Sequence, residues 1–252
     1  MSLRYVGGPT ALLRYGDLRL VTDPTFDAPG DYPVGDRAMV KDAGPAVAAG
    51  DTGPVDAVLL SHDQHPDNLD RSGREFLDGV PLVLTTAAAC SRLGDAPTPL
   101  PNWATHEAGS VRITGVPAQH GPDGTDHLTG EVTGFVLQGE GLPTVYVSGD
   151  NASLDVVRAV AGRFDTVDVA VLFAGAARAP FVEGGEADLT LSSDAAAEAT
   201  RILGARHVVP LHFEHWAHFT QGRESLEEAF GRAGLGERLH LLKPGETYTY
   251  AG

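Results

Sequence analysis

One stretch constrains this chain more than any other. The nearly continuous apolar run Val55 to Ser61 opens directly onto His62-Asp63-Gln64-His65-Pro66-Asp67-Asn68-Leu69-Asp70. An apolar run with little polar alternation is the pattern of a strand covered on both faces. A buried strand that ends in a loop dense with imidazole and carboxylate groups sets those groups at the carboxyl edge of a sheet, where ligand sites of α/β folds lie. Imidazole nitrogen and carboxylate oxygen are the donors that borderline metals such as zinc take, and a metal needs several of them within about 2 to 2.5 Å of one point. A tight loop on a rigid strand can supply that convergence.

The arrangement recurs downstream. His120 follows the strand Val111 to Pro117, Asp150 follows Thr144 to Ser148 through Gly149, and His212 follows His207 to Leu211. Around these, Leu12–Tyr15 and Leu18–Thr22 flank the two-residue turn Gly16-Asp17, so the chain opens as an antiparallel meander. Residues 27–54 read as a long irregular connection, which in a compact domain is usually a lid or a site wall. Further strands are expected at Leu82–Thr85, Thr133–Gln138 and Val167–Phe173. Helices are expected at Ser153–Ala161 and Ser193–Leu203, each opened by serine and stopped by glycine, with a last helix over Arg223–Ala233 and an Ala-rich turn around Cys90. Runs of strands followed by alternating strands and helices indicate an α/β (α+β) chain with two sheets and helices on their outer faces, one domain over 1–252.

Composition narrows the partners. With 18 Lys and Arg against 34 Asp and Glu the formal charge is −16, and no basic cluster interrupts it, so nucleic acid and an anionic membrane surface are not expected. No apolar run approaches the roughly 20 residues of a membrane span, and the opening MSLRYVGGPT has no secretion signal, so the expected compartment is the cytoplasm. The lone Cys90 fits a reducing compartment and reads as a small buried hydrophobe. A small-molecule substrate is left as the expected partner; a homo-oligomer stays open.

In order and spacing these motifs resemble the metallo-β-lactamase superfamily of metal-dependent hydrolases, whose hallmark is H-x-H-x-D-H after a strand, followed by a His, an Asp and a final His. The opening Gly7-Gly8-Pro9-Thr10 with Leu20-Val21-Thr22-Asp23-Pro24 is similar to the branch containing ascorbate-6-phosphate lactonase. The resemblance implies a four-layer αββα sandwich of two mixed sheets. It makes His62, His65 and His120 the donors of one divalent metal. Asp67, Asp150 and His212 would serve a second, with Asp150 bridging and Asp23 beneath the site orienting a ligand. Two departures stand out. The first motif is one residue longer, so an ungapped match would take Asp63 and His65 and leave His62 outside; His62 is the preferred reading. Asn68 stands where the last His belongs, and an amide is a poorer zinc ligand, so the second metal is expected to be loosely held, absent or different.

The implied cofactor is one or two divalent ions, zinc first, with manganese or iron as alternatives. A metal with an open position lowers the pKa of bound water from 15.7 to about 7 and polarises a carbonyl or phosphoryl oxygen. Hydrolysis of a small ester, lactone or phosphoester follows, with Asp67 orienting the water or accepting its proton. Two rivals are mononuclear iron oxygen chemistry and a degenerate member that binds a metal or metabolite without turnover. His127, His215 and Trp216 are candidates for the substrate pocket. His106, His207 and His240 sit in no motif, and Ser61, Ser148 and Ser192 sit in no nucleophile elbow.

Overall fold

The computed structural model describes residues 1–94 and 96–251. The chain begins with strands β1 (Ser2–Gly7), β2 (Thr10–Tyr15) and β3 (Leu18–Thr22), then a hairpin of β4 (Gly30–Val34) and β5 (Arg37–Lys41). Next come β6 (Ala57–Leu59), α1 (Arg71–Leu77), β7 (Val83–Thr85), α2 (Ala87–Leu93), β8 (Thr98–Pro99), β9 (Thr105–Ala108) and β10 (Val111–Pro117). A short α3 (Asp126–Thr129) precedes β11 (Thr133–Gly139), β12 (Val145–Val147), α4 (Leu154–Ala161) and β13 (Val169–Phe173). The chain closes with α5 (Ser193–Leu203), β14 (His207–Leu211), α6 (Arg223–Arg232) and β15 (Thr247–Thr249).

Two large sheets result, in the orders β15-β1-β2-β3-β6-β7-β8 and β14-β13-β12-β11-β10-β9. Each is half antiparallel and half parallel: β3, β6, β7 and β8 run parallel in the first, and β12, β13 and β14 in the second. Since β11 is antiparallel to both β10 and β12, the carboxyl ends of β10, β12 and β14 share one edge. Alternation along the strands sets the layers. Val145, Val147, Val169, Val171 and Phe173 meet Leu3, Tyr5, Leu13 and Leu20 between the sheets. The intervening Tyr146, Ala170 and Leu172 face α4, α5 and α6, and Val21, Val58 and Val83 face Leu77 of α1 on the opposite side. A one-residue slip would exchange these faces, and with about 1.5–3 kcal/mol for each large apolar side chain buried, register is strongly fixed. This is the expected four-layer sandwich.

Helix ends follow the sequence signals. Ser153 and Ser192 accept hydrogen bonds from Val156 N and Ala195 N, and Gly204 ends α5 in the left-handed region at φ 65°. Two expectations change. The connection 27–54 is not wholly irregular, since it holds the β4–β5 hairpin; its side chains are largely exposed, so it lacks the apolar alternation by which strands are recognised. The expected strand Val55–Ser61 pairs only over Ala57–Leu59, because β6 is flanked by the short β3 and β7.

Candidate metal centre

The carboxyl ends of β6, β10, β12 and β14 meet, and with them the residues singled out in sequence. His62 Nε2 lies 3.0 Å from His65 Nδ1, and His120 Nε2 lies 3.3 Å from the same atom. The three rings cross at 62–87°, so they radiate from a common point rather than stack. Their outward nitrogens are tied. His120 Nδ1 donates to the Leu189 carbonyl at 2.8 Å. Ser61 Oγ donates to Asp23 Oδ2 at 2.8 Å, so it must accept from His62 Nδ1 at 2.9 Å. Both Nε2 atoms therefore carry lone pairs directed at His65 Nδ1. A proton there could satisfy one of them; a cation satisfies all three. Donors about 2.0–2.1 Å from a tetrahedral zinc stand about 3.3–3.4 Å apart, close to the separations found. The donor set fits a divalent metal.

Burial holds the His62 imidazole well below its ordinary pKa, against the pull of Asp150, and takes His65 down to about 4. Both are thus neutral at pH 7, the form a metal requires. Asp23 is fully buried, at φ 25°, directly beneath: β3 runs parallel to β6, and its carboxylate also accepts from Ser61 N at 2.6 Å. Burial raises Asp23 to about 7, Ser61 opposing and Asp150 adding to the rise. Asp23 thus lies beneath the site, where an orienting acceptor was expected, linked to His62 through Ser61.

A second group adjoins the first. Asp67 Oδ2 lies 3.0 Å from His212 Nε2 and 3.1 Å from His218 Nε2. Asp150 spans the two groups, with Oδ2 3.5 Å from His120 Nε2 and Oδ1 2.9 Å from His212 Nδ1. Burial would lower His212, but Asp150 and Asp67 on either side outweigh it and raise the imidazole to about 10. Asp150 is held low against the cost of burial by His212 and His120, and Asp67 by His218 and His212. Gly149 takes φ 57° with Thr133 O only 2.7 Å from where a Cβ would stand, so the turn that delivers Asp150 requires glycine. His212 itself sits at φ 57°, a strained conformation for a non-glycine residue that the neighbouring packing must impose.

Other expected residues lie elsewhere. Asp63 turns away and is bound by Arg92 Nε at 3.0 Å, so His62 rather than Asp63 faces His65. Asn68 is fully buried and donates from Nδ2 to Asp150 Oδ1 at 3.2 Å and to Asp23 Oδ2 at 3.4 Å. Next to the centre opens a cavity of about 320 Å³, bounded by His65, Asp67, His120 and His218, by Val34 and Arg37–Val40 of the hairpin and by Ala177–Phe181. The stretch 27–54 thus contributes a site wall. His127 is exposed, bonds Gly124 O and lies outside this lining. His215 and Trp216 stand behind it, His215 beside Tyr5 and Trp216 against Tyr32 and Lys41. Of that loop it is Ala217 and His218 that face the cavity. His218 falls in the stretch 213–219 whose aromatic and imidazole groups could line a pocket, but the sequence does not mark it as a metal donor beyond the three-residue spacing of His212, His215 and His218 after a strand.

The profile of the family described as Beta-lactamase superfamily domain matches residues 18–213. The chain is 30% identical over 210 residues to a UPF0173 metal-dependent hydrolase of Rubrobacter xylanophilus, covering 77% of this chain and 78% of that one. It is 24% identical to another from Desulforamulus reducens, over 98% of each. Among solved structures it is similar to an isothiocyanate hydrolase from Delia radicum gut bacteria, with TM-score 0.86, 20% identity and all of each chain covered. A possible metal-dependent hydrolase from Veillonella parvula superposes with TM-score 0.85 at 16% identity, over 99% of each chain. With its fold, its His and Asp clusters and these relatives, the chain belongs to the metallo-β-lactamase superfamily, in the UPF0173 family of metal-dependent hydrolases.

Proposed function

We propose that the chain hydrolyses a small ester or lactone, or a phosphoester, on a centre built from His62, His65, His120 and Asp150 with Asp67 and His212 beside it. The observation that carries this reading is the convergence of three imidazole nitrogens beside an open cavity. A divalent metal held there, zinc first, supplies Lewis acidity to a bound water and to the substrate's carbonyl or phosphoryl oxygen. The chain's residues do the rest. Asp67, at the cavity floor, orients the attacking water and takes its proton at a carboxylate oxygen. Ser61 and Asp23 hold the His62 ring with Nε2 forward.

The cavity walls favour a substrate with an apolar body. Val34, Met39, Val40, Phe181 and Leu189 line it, and Val40 and Phe181 stay 43% and 44% exposed. Such exposed apolar groups at a concave mouth suit a small ligand with an apolar body, with Arg37 and Arg178 on the same walls. The similarity of Gly7-Gly8-Pro9-Thr10 and Leu20-Val21-Thr22-Asp23-Pro24 to the ascorbate-6-phosphate lactonase branch supports the lactone, and the lone cysteine supports a cytoplasmic enzyme.

The test is metal analysis together with hydrolysis. Purified protein loaded with zinc or manganese is assayed on a panel of esters, lactones and phosphodiesters beside His120→Ala. Metal binding and turnover, both lost in the variant, are expected. Iron as the bound metal without hydrolysis, or metal without any turnover across the panel, would overturn the reading.

A further inference from the structure

The family pattern draws a donor for its second metal from the position held here by Asn68, and this chain has an amide there. Asn68 is fully buried, and its Nδ2 points hydrogens at Asp150 and Asp23, so that side chain ties two carboxylates together instead of offering them a shared cation. From the opposite side, across the cavity floor, His218 brings Nε2 to 3.1 Å from Asp67 Oδ2. His212 Nε2 approaches the same oxygen at 3.0 Å. The other Asp67 oxygen, Oδ1, is buried with no hydrogen-bond partner. Two imidazoles that served only as hydrogen-bond partners of a carboxylate would spread over both oxygens, since each has lone pairs to offer. Both converge on one oxygen, which is how ligand atoms gather around a common point, and the three separations resemble those of the His62, His65 and His120 group.

We infer that His218 supplies the ligand that Asn68 does not, so that a second divalent ion is held by Asp67, His212 and His218 in a site rebuilt from the cavity side. The inference rests on the proposed metal-dependent function. His218 is presented by a segment clamped on both flanks: Ala217 N donates to Val40 O at 3.0 Å, and Arg178 N donates to His218 O at 3.2 Å. Its ring also leans on Phe219 at 4.4 Å between centroids. The donor is therefore fixed by the same hairpin and the same 177–181 segment that wall the cavity. A ligand taken from the back of the site has been exchanged for one that borders the substrate.

The experiment loads the full chain with excess Co²⁺, removes free ion by desalting, and counts cobalt per chain while recording the visible absorption of the bound ion. Wild type, His218→Ala, His218→Gln and His62→Ala are compared, with circular dichroism as the folding control. His218→Gln keeps side-chain bulk and a polar contact to Asp67 but is a poorer ligand. Two ions per wild-type chain are expected. One should remain in either His218 variant, with the second weakened at least about tenfold, and the ion lost in His62→Ala should have a different absorption spectrum. Two ions retained in both His218 variants would overturn the inference and leave the metal-dependent reading standing. One ion in wild type, unchanged by His218→Ala, would do the same. No ion in wild type would overturn the underlying reading and this inference with it.

Discussion

The sharpest stability prediction concerns a buried ion pair that braces the cavity wall. Lys41 Nζ lies 3.1 Å from Asp70 Oδ2, with the two side chains 2% and 0% exposed. The partners are unequal. Asp70 also accepts from Phe26 N at 3.0 Å, Asp27 N at 2.7 Å and Gly73 N at 2.8 Å, the last as N-cap of α1. Beyond Asp70, Lys41 has only the Thr25 carbonyl at 3.3 Å and the Trp216 ring at 5.4 Å. Asp70→Ala leaves a buried ammonium without its counter-ion, a cost of about 3–5 kcal/mol, and removes a helix cap worth about 1 kcal/mol. The sum, about 4–6 kcal/mol, approaches the whole stability of many proteins. Lys41→Met leaves the carboxylate with three backbone donors and sets an apolar chain against Trp216, so roughly 1–2 kcal/mol is expected.

The decisive comparison is the double variant. Since the ammonium is the source of most of the damage in Asp70→Ala, adding Lys41→Met should restore about 2–3 kcal/mol rather than remove more. Urea unfolding followed by circular dichroism on chelator-treated protein reads this directly. With m near 3 kcal/mol/M, Asp70→Ala should lower the midpoint by about 1.5 M and the double variant should recover about half of that. Additive losses, with the double variant less stable than Asp70→Ala, would refute the reasoning.

Four shorter tests follow. Ser61→Ala cuts the link from Asp23 to His62, so affinity for the first ion should fall about 10–100-fold by competition with a chromophoric chelator. Asn68→His should leave the cobalt count of wild type unchanged if His218 already completes the second group, whereas a rise above it would show a vacancy at Asn68. Chelation should lower Tm. An ion at a thousand times its Kd contributes about 4 kcal/mol, which at 2–4 °C per kcal/mol in a chain of this size is a shift of about 8–16 °C in calorimetry. Phe181→Ser should raise KM about fivefold at constant kcat for apolar substrates, about 1 kcal/mol of lost contact, and a fall in kcat alone would argue against a wall role.

The sequence showed most clearly what lies at the ends of buried strands. His62, His120, Asp150 and His212 each follow an apolar run, and a rigid strand end converts position in sequence into position in space. The strands Val145–Val147 and Val169–Phe173 were legible as apolar runs, but which of their residues face the other sheet and which the helices was not, since every side chain in them is apolar. The β4–β5 hairpin was not, because most of its side chains are exposed and the face it turns inward, Tyr32, Val34, Met39 and Lys41, is only partly apolar. His127 looked close to His120 at seven residues, but Thr125 and Thr129 bind the His120 carbonyl and turn α3 so that His127 points to solvent. His218 was hidden because its position depends on the hairpin, through the Ala217 to Val40 bond, and on Arg178.

The two irregularities of the motif explain one another. The added residue between His62 and His65 would carry the second imidazole too far if it used its outer nitrogen. His65 instead presents Nδ1, the nitrogen nearer the backbone, while His62 and His120 present Nε2. The loop then closes as a helical turn, with Asn68 N and Leu69 N bonded to His65 O at 3.1 and 3.0 Å. That turn rotates position 68 beneath Asp150 and Asp23, two buried acids; burial chiefly, with Asp150 adding, raises Asp23 to about 7. A hydrogen-bond donor is needed at that place more than a metal ligand, and an asparagine amide answers the need where an imidazole would crowd it. The donor lost from the loop must come from elsewhere if the second ion is to stay, and His218 is a side chain that reaches Asp67 from the cavity.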